Sequence, residues 1–225
     1  MKRTFNAFAL ALLALVVAAT PALAQQKAAP ATAPATIELD KPKLDAGLTV
    51  MQAIAKRHST RAFDAKPLSR QALSDILWAA GGVNRPESQG IVIPTALGAK
   101  ELDVYAMLPE GVYRYEPAQH RLTLVVPGDH RAQAGKQAFA ATAPLNLFFV
   151  ADEARMKAKE AEARARFGAM TTAFASENVY LYCASAGLST VVRGAIDVAA
   201  LSKLLKLTAS QKLYLGQSVG HPAAK

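Results

Sequence analysis

Three short apolar runs separated by turn-forming residues set the strongest limit on the fold of this 225-residue chain. The runs cover residues 102–108, 112–116 and 121–126, and each has the length and composition of a β-strand. The intervals at 109–111 and 117–120 each begin with proline and continue with residues that favour turns. Strands joined by such short turns pair antiparallel with their neighbours. The sequence therefore predicts an antiparallel meander.

Helical periodicity and end signals predict six helices around this meander. One helix ends near Lys56 and Arg57, and Ser69, Asp152 and Asp197 are suited to cap later ones. The other predicted helices cover residues 69–81, 131–140, 152–167, 174–186 (closed by Gly187) and 197–205. The remaining predicted strands are 145–150, whose continuous apolar run indicates cover on both faces, 188–192 and 212–219. Helices and strands are grouped rather than strictly alternating, which favours an α+β fold.

The N-terminus has the pattern of a secretory signal. Lys2 and Arg3 precede an apolar run at 7–19, and small residues at Ala22 and Ala24 stand where a signal peptidase reads. The run is shorter than the roughly 20 residues that a spanning helix needs. We expect residues 1–24 to be a signal peptide cleaved after Ala24, residues 25–36 to be a disordered tether rich in Ala, Pro and Thr, and residues 37–225 to be the folded domain. The expected location is periplasmic or secreted.

Charge and single-residue chemistry exclude several function classes. The formal net charge is +9, and loss of residues 1–24, which carry only Lys2 and Arg3 as charged side chains, leaves 9 − 2 = +7. No run of four like charges occurs, so nucleic-acid binding is not indicated. The four histidines are far apart, with no metal-binding spacing. Cys183 is the only cysteine and stands in an apolar stretch, as expected of a core thiol.

Residues 56–64 combine cations and hydroxyls where a helix ends. In an extended chain Arg57, Ser59 and Arg61 point to one side. Two guanidinium groups and a hydroxyl at one site suit a phosphate or an electron-rich ring edge. The same residues could also form a basic loop in solvent.

The segment 56–64 resembles the flavin signature of the FMN-dependent nitroreductase family, in which a helix with a basic end is followed by Arg-x-Ser-x-Arg/Lys-x-Phe. Further stretches are similar to that family in order and spacing, and particularly to its branch with thiazoline-oxidase-like dehydrogenases. They lie at residues 77–85, 94–107, 111–117, 177–194 and 218–222. The resemblance implies a nitroreductase-like fold, with a central, mostly antiparallel sheet flanked by helices. It also implies FMN held between the subunits of a homodimer.

Carried over position by position, the resemblance implies three groups of FMN-binding residues. Arg57 and Arg61 would hold the phosphate or the pyrimidine edge of the ring, with His58 and Ser59 nearby. Pro94, Thr95 and Ala96 would line the flavin from the partner subunit, and the backbone amides of Arg193 and Gly194 would face flavin N5. The Arg193 side chain itself is expected at the surface, on a turn. No residue is assigned as a catalytic acid or base.

Two departures from the family pattern bear on function. The chain ends three residues after Pro222, so either Lys225 reaches the phosphate or the N-terminal arginines hold it alone. Residues 83–93 lack the family's usual Asn-x-Gln-Pro-Trp run, which leaves the substrate pocket undefined. The expected partners are a small-molecule electron donor and acceptor, with a peripheral membrane redox partner as a further candidate. A non-catalytic FMN-binding protein and an exported anion-binding module remain as alternatives.

Overall fold

The computed structural model describes residues 33–224, which form ten strands and five α-helices. The strands are β1 (Thr36–Glu38), β2 (Phe63–Asp64), β3 (Val83–Arg85), β4 (Gly90–Ile91), β5 (Leu102–Leu108), β6 (Gly111–Glu116), β7 (Arg121–Pro127), β8 (Leu145–Asp152), β9 (Ser189–Arg193) and β10 (Gln211–Pro222). The helices are α1 (Val50–Lys56), α2 (Arg70–Gly81), α3 (Ala138–Thr142), α4 (Ala161–Ala186) and α5 (Val198–Leu204). Short 3₁₀ turns lie at Pro86–Ser88, Ala96–Gly98, Arg131–Gln133 and Glu153–Arg155. The predicted signal peptide and most of the predicted tether lie outside the described residues.

Eight of these strands form one antiparallel sheet in the order β1-β7-β6-β5-β8-β10-β2, with β9 also paired to β10. The predicted meander is confirmed as β5, β6 and β7, because the turns between them hold the strands in hairpin register. Helices α2 and α4 supply residues to the core on one face of the sheet, and α3 and α5 supply residues to the core on the other. The α+β fold with helices flanking an antiparallel sheet is therefore confirmed.

Strand β8 is buried on both faces, as its unbroken apolar run predicts. Leu147 and Phe149 belong to one hydrophobic cluster, and Phe148 and Val150 belong to the other. Alternate side chains of a strand point to opposite faces, so a run without polar interruptions can fill two cores at once. Both layers of helices therefore pack against β8, one on each face.

Helix α4 corrects the prediction of two separate helices at 152–167 and 174–186. Asp152 caps only a 3₁₀ turn, and α4 runs without a break from Ala161 to Ala186. Glu153 pairs with Arg164 at 3.4 Å rather than with a residue one turn later. Gly168 lies between the two predicted helices, and a Cβ there would lie 2.8 Å from the Tyr214 ring. Glycine is needed at this position for close packing, and it does not end the helix.

The ends of the helices follow their capping residues. Ser69 accepts a hydrogen bond from Ala72 N at 3.1 Å and starts α2, and Asp197 does the same for α5 through Ala200 N at 3.0 Å. Gly187 ends α4 with a φ of +69°, a conformation that glycine adopts without strain. These three predicted caps are confirmed.

His120 attaches the N-terminal strand to the rest of the domain. It closes the turn between β6 and β7, and its ring lies 2.7 Å from both Tyr115 Oη and Ser74 Oγ and 3.0 Å from the Asp40 carbonyl oxygen. Its own carbonyl accepts from Leu39 N at 3.3 Å. Burial lowers the pKa of the His120 imidazole, which favours the neutral ring. The histidine thus has a structural role in the docking of β1.

Helix α1 forms where the sequence predicts it, but its large apolar side chains face outward in the single chain. Met51 is 73% exposed and Ile54 is 51% exposed, and only the small Ala53 is buried. Residues 83–100, for which the sequence predicts neither a helix nor a strand, include the short β3–β4 hairpin. No α-helix within residues 33–224 has the length and apolar character needed to cross a membrane.

Candidate flavin site at the edge of β9

The segment that carries Arg57, Ser59 and Arg61 lies along the outer edge of β9. One edge of β9 pairs with β10, and on its other edge the Thr190 carbonyl accepts a hydrogen bond from Thr60 N at 2.9 Å. The chain then continues into β2, which pairs with the end of β10. Two groups of residues that are more than a hundred positions apart in sequence, 57–61 and 190–194, are therefore brought together at one edge of the sheet.

Tyr180 on α4 holds this arrangement in place. Its hydroxyl lies 2.7 Å from Ser59 Oγ and accepts a hydrogen bond from Val192 N at 2.9 Å, so one phenol bridges the segment and the strand. The Arg57 guanidinium lies over the Tyr180 ring, 5.2 Å from its centroid, and Arg57 Nε is 3.8 Å from Glu177 Oε1. The sequence analysis did not single out Tyr180. The available signal was its position three residues after Glu177, on a helix that faces the sheet.

The exposed cations of the segment remain accessible to a ligand. Arg61 is exposed, and among residues 33–224 its side chain makes neither a hydrogen bond nor an ion pair. His58 is also exposed, and its Nδ1 lies 2.8 Å from the Lys56 carbonyl oxygen, which leaves Nε2 directed elsewhere. With Arg57 held by one weak ion pair, the segment presents positive charge to solvent at the strand edge.

Arg193 and Gly194, at the end of β9, differ sharply in exposure. The expectation of a surface side chain at Arg193 is wrong: the residue is 4% exposed, and its guanidinium donates to the Ala134 carbonyl at 2.6 Å and to Asn146 Oδ1 at 2.9 Å. The register of β9 on β10 turns this side chain inward, opposite Gly216. Gly194 is exposed, and a Cβ added there would meet no heavy atom within 4 Å. The backbone at Gly194 is therefore open to a flat ligand.

Pro94, Thr95 and Ala96 lie between β4 and β5, and no hydrogen bond or ion pair within the described chain joins them to residues 57–61. Pro94 is exposed, while the Thr95 hydroxyl accepts a hydrogen bond from Lys100 N at 3.2 Å. A single chain thus brings together two of the three predicted groups, residues 57–61 and residues 193–194, while residues 94–96 are not joined to them in the described structure. Their roles toward a flavin stay predictions.

The clefts and titratable clusters elsewhere do not compete with this site. Two clefts of about 400 and 410 Å³ lie beside Lys206 and beside Trp78, and neither is lined by a predicted site residue. No group of three or more His, Cys, Asp or Glu side chains within residues 33–224 is arranged to hold a metal ion. Burial raises the pKa of the Cys183 thiol far above its ordinary value, which keeps it unreactive.

Comparison with known proteins gives consistent matches over nearly the whole described chain. The model of the nitroreductase family matches residues 54–221. A protein of Methanocaldococcus jannaschii that is named a nitroreductase is 31% identical over an alignment of 183 residues, and the match covers 76% of this chain and 91% of that protein. All three groups of predicted site residues lie within the span matched by the family model.

Solved structures agree with the fold. A crystal structure of a protein from Ralstonia eutropha, also named a nitroreductase, has a TM-score of 0.82 and 40% identity, and the match covers 87% of this chain and 93% of that one. A nitroreductase-like protein of Desulfovibrio desulfuricans in complex with FMN has a TM-score of 0.58 and 20% identity, over 78% of this chain and 87% of the other. At that identity the second likeness shows the fold alone.

Proposed function

The chain belongs to the nitroreductase family, and we propose that it is an exported oxidoreductase that passes two electrons through flavin N5 to an acceptor such as a nitroaromatic compound or a quinone. The family assigns it to the FMN-dependent oxidoreductases. The export, the route of the electrons and the acceptor are the proposed part. The observation that carries the proposal is the cationic segment 57–61 held against the edge of β9 by Tyr180.

The residues at this edge fit FMN by their chemistry. A phosphate dianion or the electron-rich pyrimidine edge requires fixed cations and hydrogen-bond donors, which Arg57, Arg61 and His58 supply. Ser59 is hydrogen-bonded to Tyr180 and keeps acceptor and donor capacity for a ligand nearby. The open backbone at Gly194 allows a planar ring to approach the end of β9. When bound, the flavin supplies the capacity to accept and release a hydride at N5.

The protein contributes position and electrostatics to this reaction. Gly194 follows a strand end that is fixed by the pairing of β9 with β10, so its amide can act as a preorganised donor where charge develops. The outer edge of β9 exposes the backbone groups of Thr190 and Val192, so the Arg193 amide lies on the edge that pairs with β10. The segment 57–61 is fixed by Tyr180 in the same way. A donor and an acceptor would then react with the flavin in turn, by a ping-pong route, without a dedicated acid or base.

A homodimer would complete the site. The exposed residues Met170, Phe174 and Glu177 are four and three positions apart on α4 and so share one side of the helix, and Glu177 pairs with Arg57 at the end of α1. Together with Val50, Met51 and Ile54 of α1, this apolar surface borders the proposed flavin site. Exposed apolar patches of this kind favour association. A partner subunit on this surface would bring its own Pro94, Thr95 and Ala96 to the flavin.

The proposal of export is supported by the signal-like pattern of residues 1–24, which lie outside the described residues. The mature charge of +7 and a tether at residues 25–36 would let the protein approach an anionic membrane surface and a redox partner there. The described part of the chain begins to pair within the last residues of this stretch, because Ala35 O accepts a hydrogen bond from Leu124 N and Thr36 is the first residue of β1.

Purification from the native compartment tests the proposal. We expect protein with the visible absorption spectrum of bound flavin and an intact mass that starts at Gln25. A colourless protein that binds no added FMN would favour an anion-binding module, and a yellow protein without turnover in the presence of artificial donors would favour a flavin-binding protein. A full-length mass would contradict export alone.

A further inference from the structure

The side chain of Arg193 is a buried cation without an opposite charge. It is 4% exposed, and its hydrogen-bond partners, the Ala134 carbonyl and the Asn146 amide, are both neutral. None of the ion pairs among residues 33–224 includes it. Burial lowers the pKa of the Arg193 guanidinium to about 10, so it still carries its charge at neutral pH. Buried charges are normally paired because desolvation is costly, which makes this exception informative.

The surrounding chain fixes the position of this charge. A Cβ added to Gly135 would clash with Arg193 Nη1, so only glycine leaves room for the guanidinium. Asn146 is itself held, because it donates to the Ala140 carbonyl at 2.8 Å and accepts from Ser218 Oγ at 2.6 Å. The guanidinium is therefore fixed in place, and no ion pair among the described residues neutralises its charge.

This field acts at the end of β9. Arg193 is the last residue of the strand, and the exposed Gly194 follows it directly. A flavin ring at the Gly194 backbone would lie one residue from Arg193, whose guanidinium is itself shielded from water. Charges interact more strongly in such a setting than in bulk solvent.

Resting on the FMN site proposed above, we propose that the buried Arg193 guanidinium raises the reduction potential of the bound flavin. Reduction adds two electrons and one proton to a neutral ring and leaves one negative charge on it. A fixed cation attracts the reduced ring and has little net interaction with the oxidised one. The reduced flavin is therefore bound more tightly, and by linkage the ratio of the two affinities sets the shift in potential.

Gln137 offers a way to cancel this charge without removing Arg193. Its Oε1 is buried and has no hydrogen-bond partner among the described residues, and the same is true of Arg193 Nε. Both side chains border Gly135, where an added Cβ would lie 3.3 Å from Gln137 Oε1 and would clash with Arg193 Nη1, so the two are neighbours. The isosteric substitution Gln137→Glu places a carboxylate beside the guanidinium and retains its other hydrogen bonds.

The test is an anaerobic titration of FMN-loaded protein with dithionite and a reference dye, for the wild type, Arg193→Met and Gln137→Glu. We expect both variants to lose at least tenfold in the preference for reduced over oxidised flavin, which lowers the midpoint potential by about 30 mV for a two-electron couple. Ser218→Ala, which alters the same hydrogen-bond network without changing charge, should keep the wild-type potential.

The outcomes separate this inference from the proposed function. Equal potentials in the wild type and Gln137→Glu would overturn the inference and leave the flavin site standing, and Gln137→Glu decides the matter even where Arg193→Met fails to fold. A wild-type protein that binds neither oxidised nor reduced FMN would overturn the proposed function and this inference with it.

Discussion

The hydroxyl of Tyr180 lies 2.7 Å from Ser59 Oγ, across 121 residues of sequence, and the same oxygen accepts the amide of Val192 at 2.9 Å. This single group therefore connects the core helix α4, the cationic segment and the edge of β9. Its ring also faces the Arg57 guanidinium. The position of the cations thus depends on a residue that need not touch the flavin itself.

Removal of this hydroxyl in Tyr180→Phe should affect both stability and flavin affinity. It leaves the Val192 amide and the Ser59 hydroxyl without their partner, a loss of about 1–3 kcal/mol in the free energy of unfolding. Urea denaturation and fluorescence titration with FMN measure the two effects. Tyr182→Phe is the matched control, since its hydroxyl lies 3.3 Å from Asp75 Oδ2, away from the segment. An FMN affinity that falls equally in both variants would argue against the anchoring role of Tyr180.

The two arginines of the segment should each contribute to FMN binding. Arg57→Ala and Arg61→Ala are expected to weaken binding by about 1.5–3 kcal/mol, the range for loss of a charge-assisted hydrogen bond. Arg114→Ala removes a half-exposed arginine from β6, which is separated from β9 by three strands of the sheet, and should leave the affinity unchanged. Unaltered affinity in both Arg57→Ala and Arg61→Ala would remove these residues from the site.

The exposed apolar surface of α1 and α4 should be the dimer interface. Phe174→Glu places a charge on this surface and is expected to give a monomer that has lost most of its affinity for FMN. Phe174 is 41% exposed, and Val198 on α5 is 46% exposed, so Val198→Glu is a matched control that should stay dimeric. Analytical ultracentrifugation with and without FMN gives the answer. A wild-type protein that is monomeric while it carries FMN would contradict the shared site.

Stability should depend on the protonation of His120. Burial lowers the pKa of this imidazole below its ordinary value, so between the folded and the unfolded pKa the unfolded chain binds more protons. The stabilisation is present above the unfolded pKa and is lost as the pH falls toward the folded pKa. We expect the free energy of unfolding to drop as the pH falls through 6.5, the ordinary pKa of a histidine, into the mildly acidic range.

Urea denaturation across this range should show a smaller drop for His120→Asn than for the wild type. Asparagine suits the comparison because the φ at this position is +49°, a conformation that asparagine tolerates. Parallel pH profiles for the two proteins would rule out His120 as the source of the pH dependence.

Local signals predicted most of the fold. The meander follows from turn residues between apolar runs, and the caps at Ser69, Asp197 and Gly187 follow from side-chain and backbone chemistry within one turn. The prediction of two helices in place of α4 was wrong, and the packing of Gly168 against Tyr214, on a strand far along the chain, has no local signal in the sequence. The two-residue strand β2 and the three-residue strand β1 have too few residues for a periodic pattern.

The candidate site likewise contains features with a local sequence signal and features that depend on long-range packing. Arg57, Ser59 and Arg61 stand close together in sequence and could be recognised by their alternation and by family resemblance. The roles of Tyr180 and of the buried Arg193 side chain depend on strand register and on long-range packing against Ala134 and Asn146, which no local pattern encodes. The resemblance implied a role for the backbone at Arg193, whereas the direction of its side chain follows only from the strand register.

The last expectation concerns the electron donor, because the donor implied by the family does not fit the proposed location of the protein. The family resemblance implies NADH or NADPH as hydride donor, and these are cytoplasmic metabolites, whereas we propose from residues 1–24 that the protein is exported. The segment 83–93 also departs from the family pattern and includes the compact hairpin of β3 and β4. An exported enzyme has little use for a nicotinamide pocket. We therefore expect slow flavin reduction by either nicotinamide and faster reduction by a quinol.

Anaerobic stopped-flow measurement of flavin bleaching with NADH, NADPH and a soluble quinol analogue tests this expectation. The charge of +7 and the tether would bring the protein to a membrane surface where quinols are concentrated, so added anionic vesicles that carry a quinol should increase the rate at low ionic strength, and high salt should reverse the increase. A neutral vesicle with the same quinol content is the control. Rapid, saturable reduction by a nicotinamide at micromolar concentration would contradict the quinol proposal and place the working enzyme in a compartment that supplies NADH or NADPH.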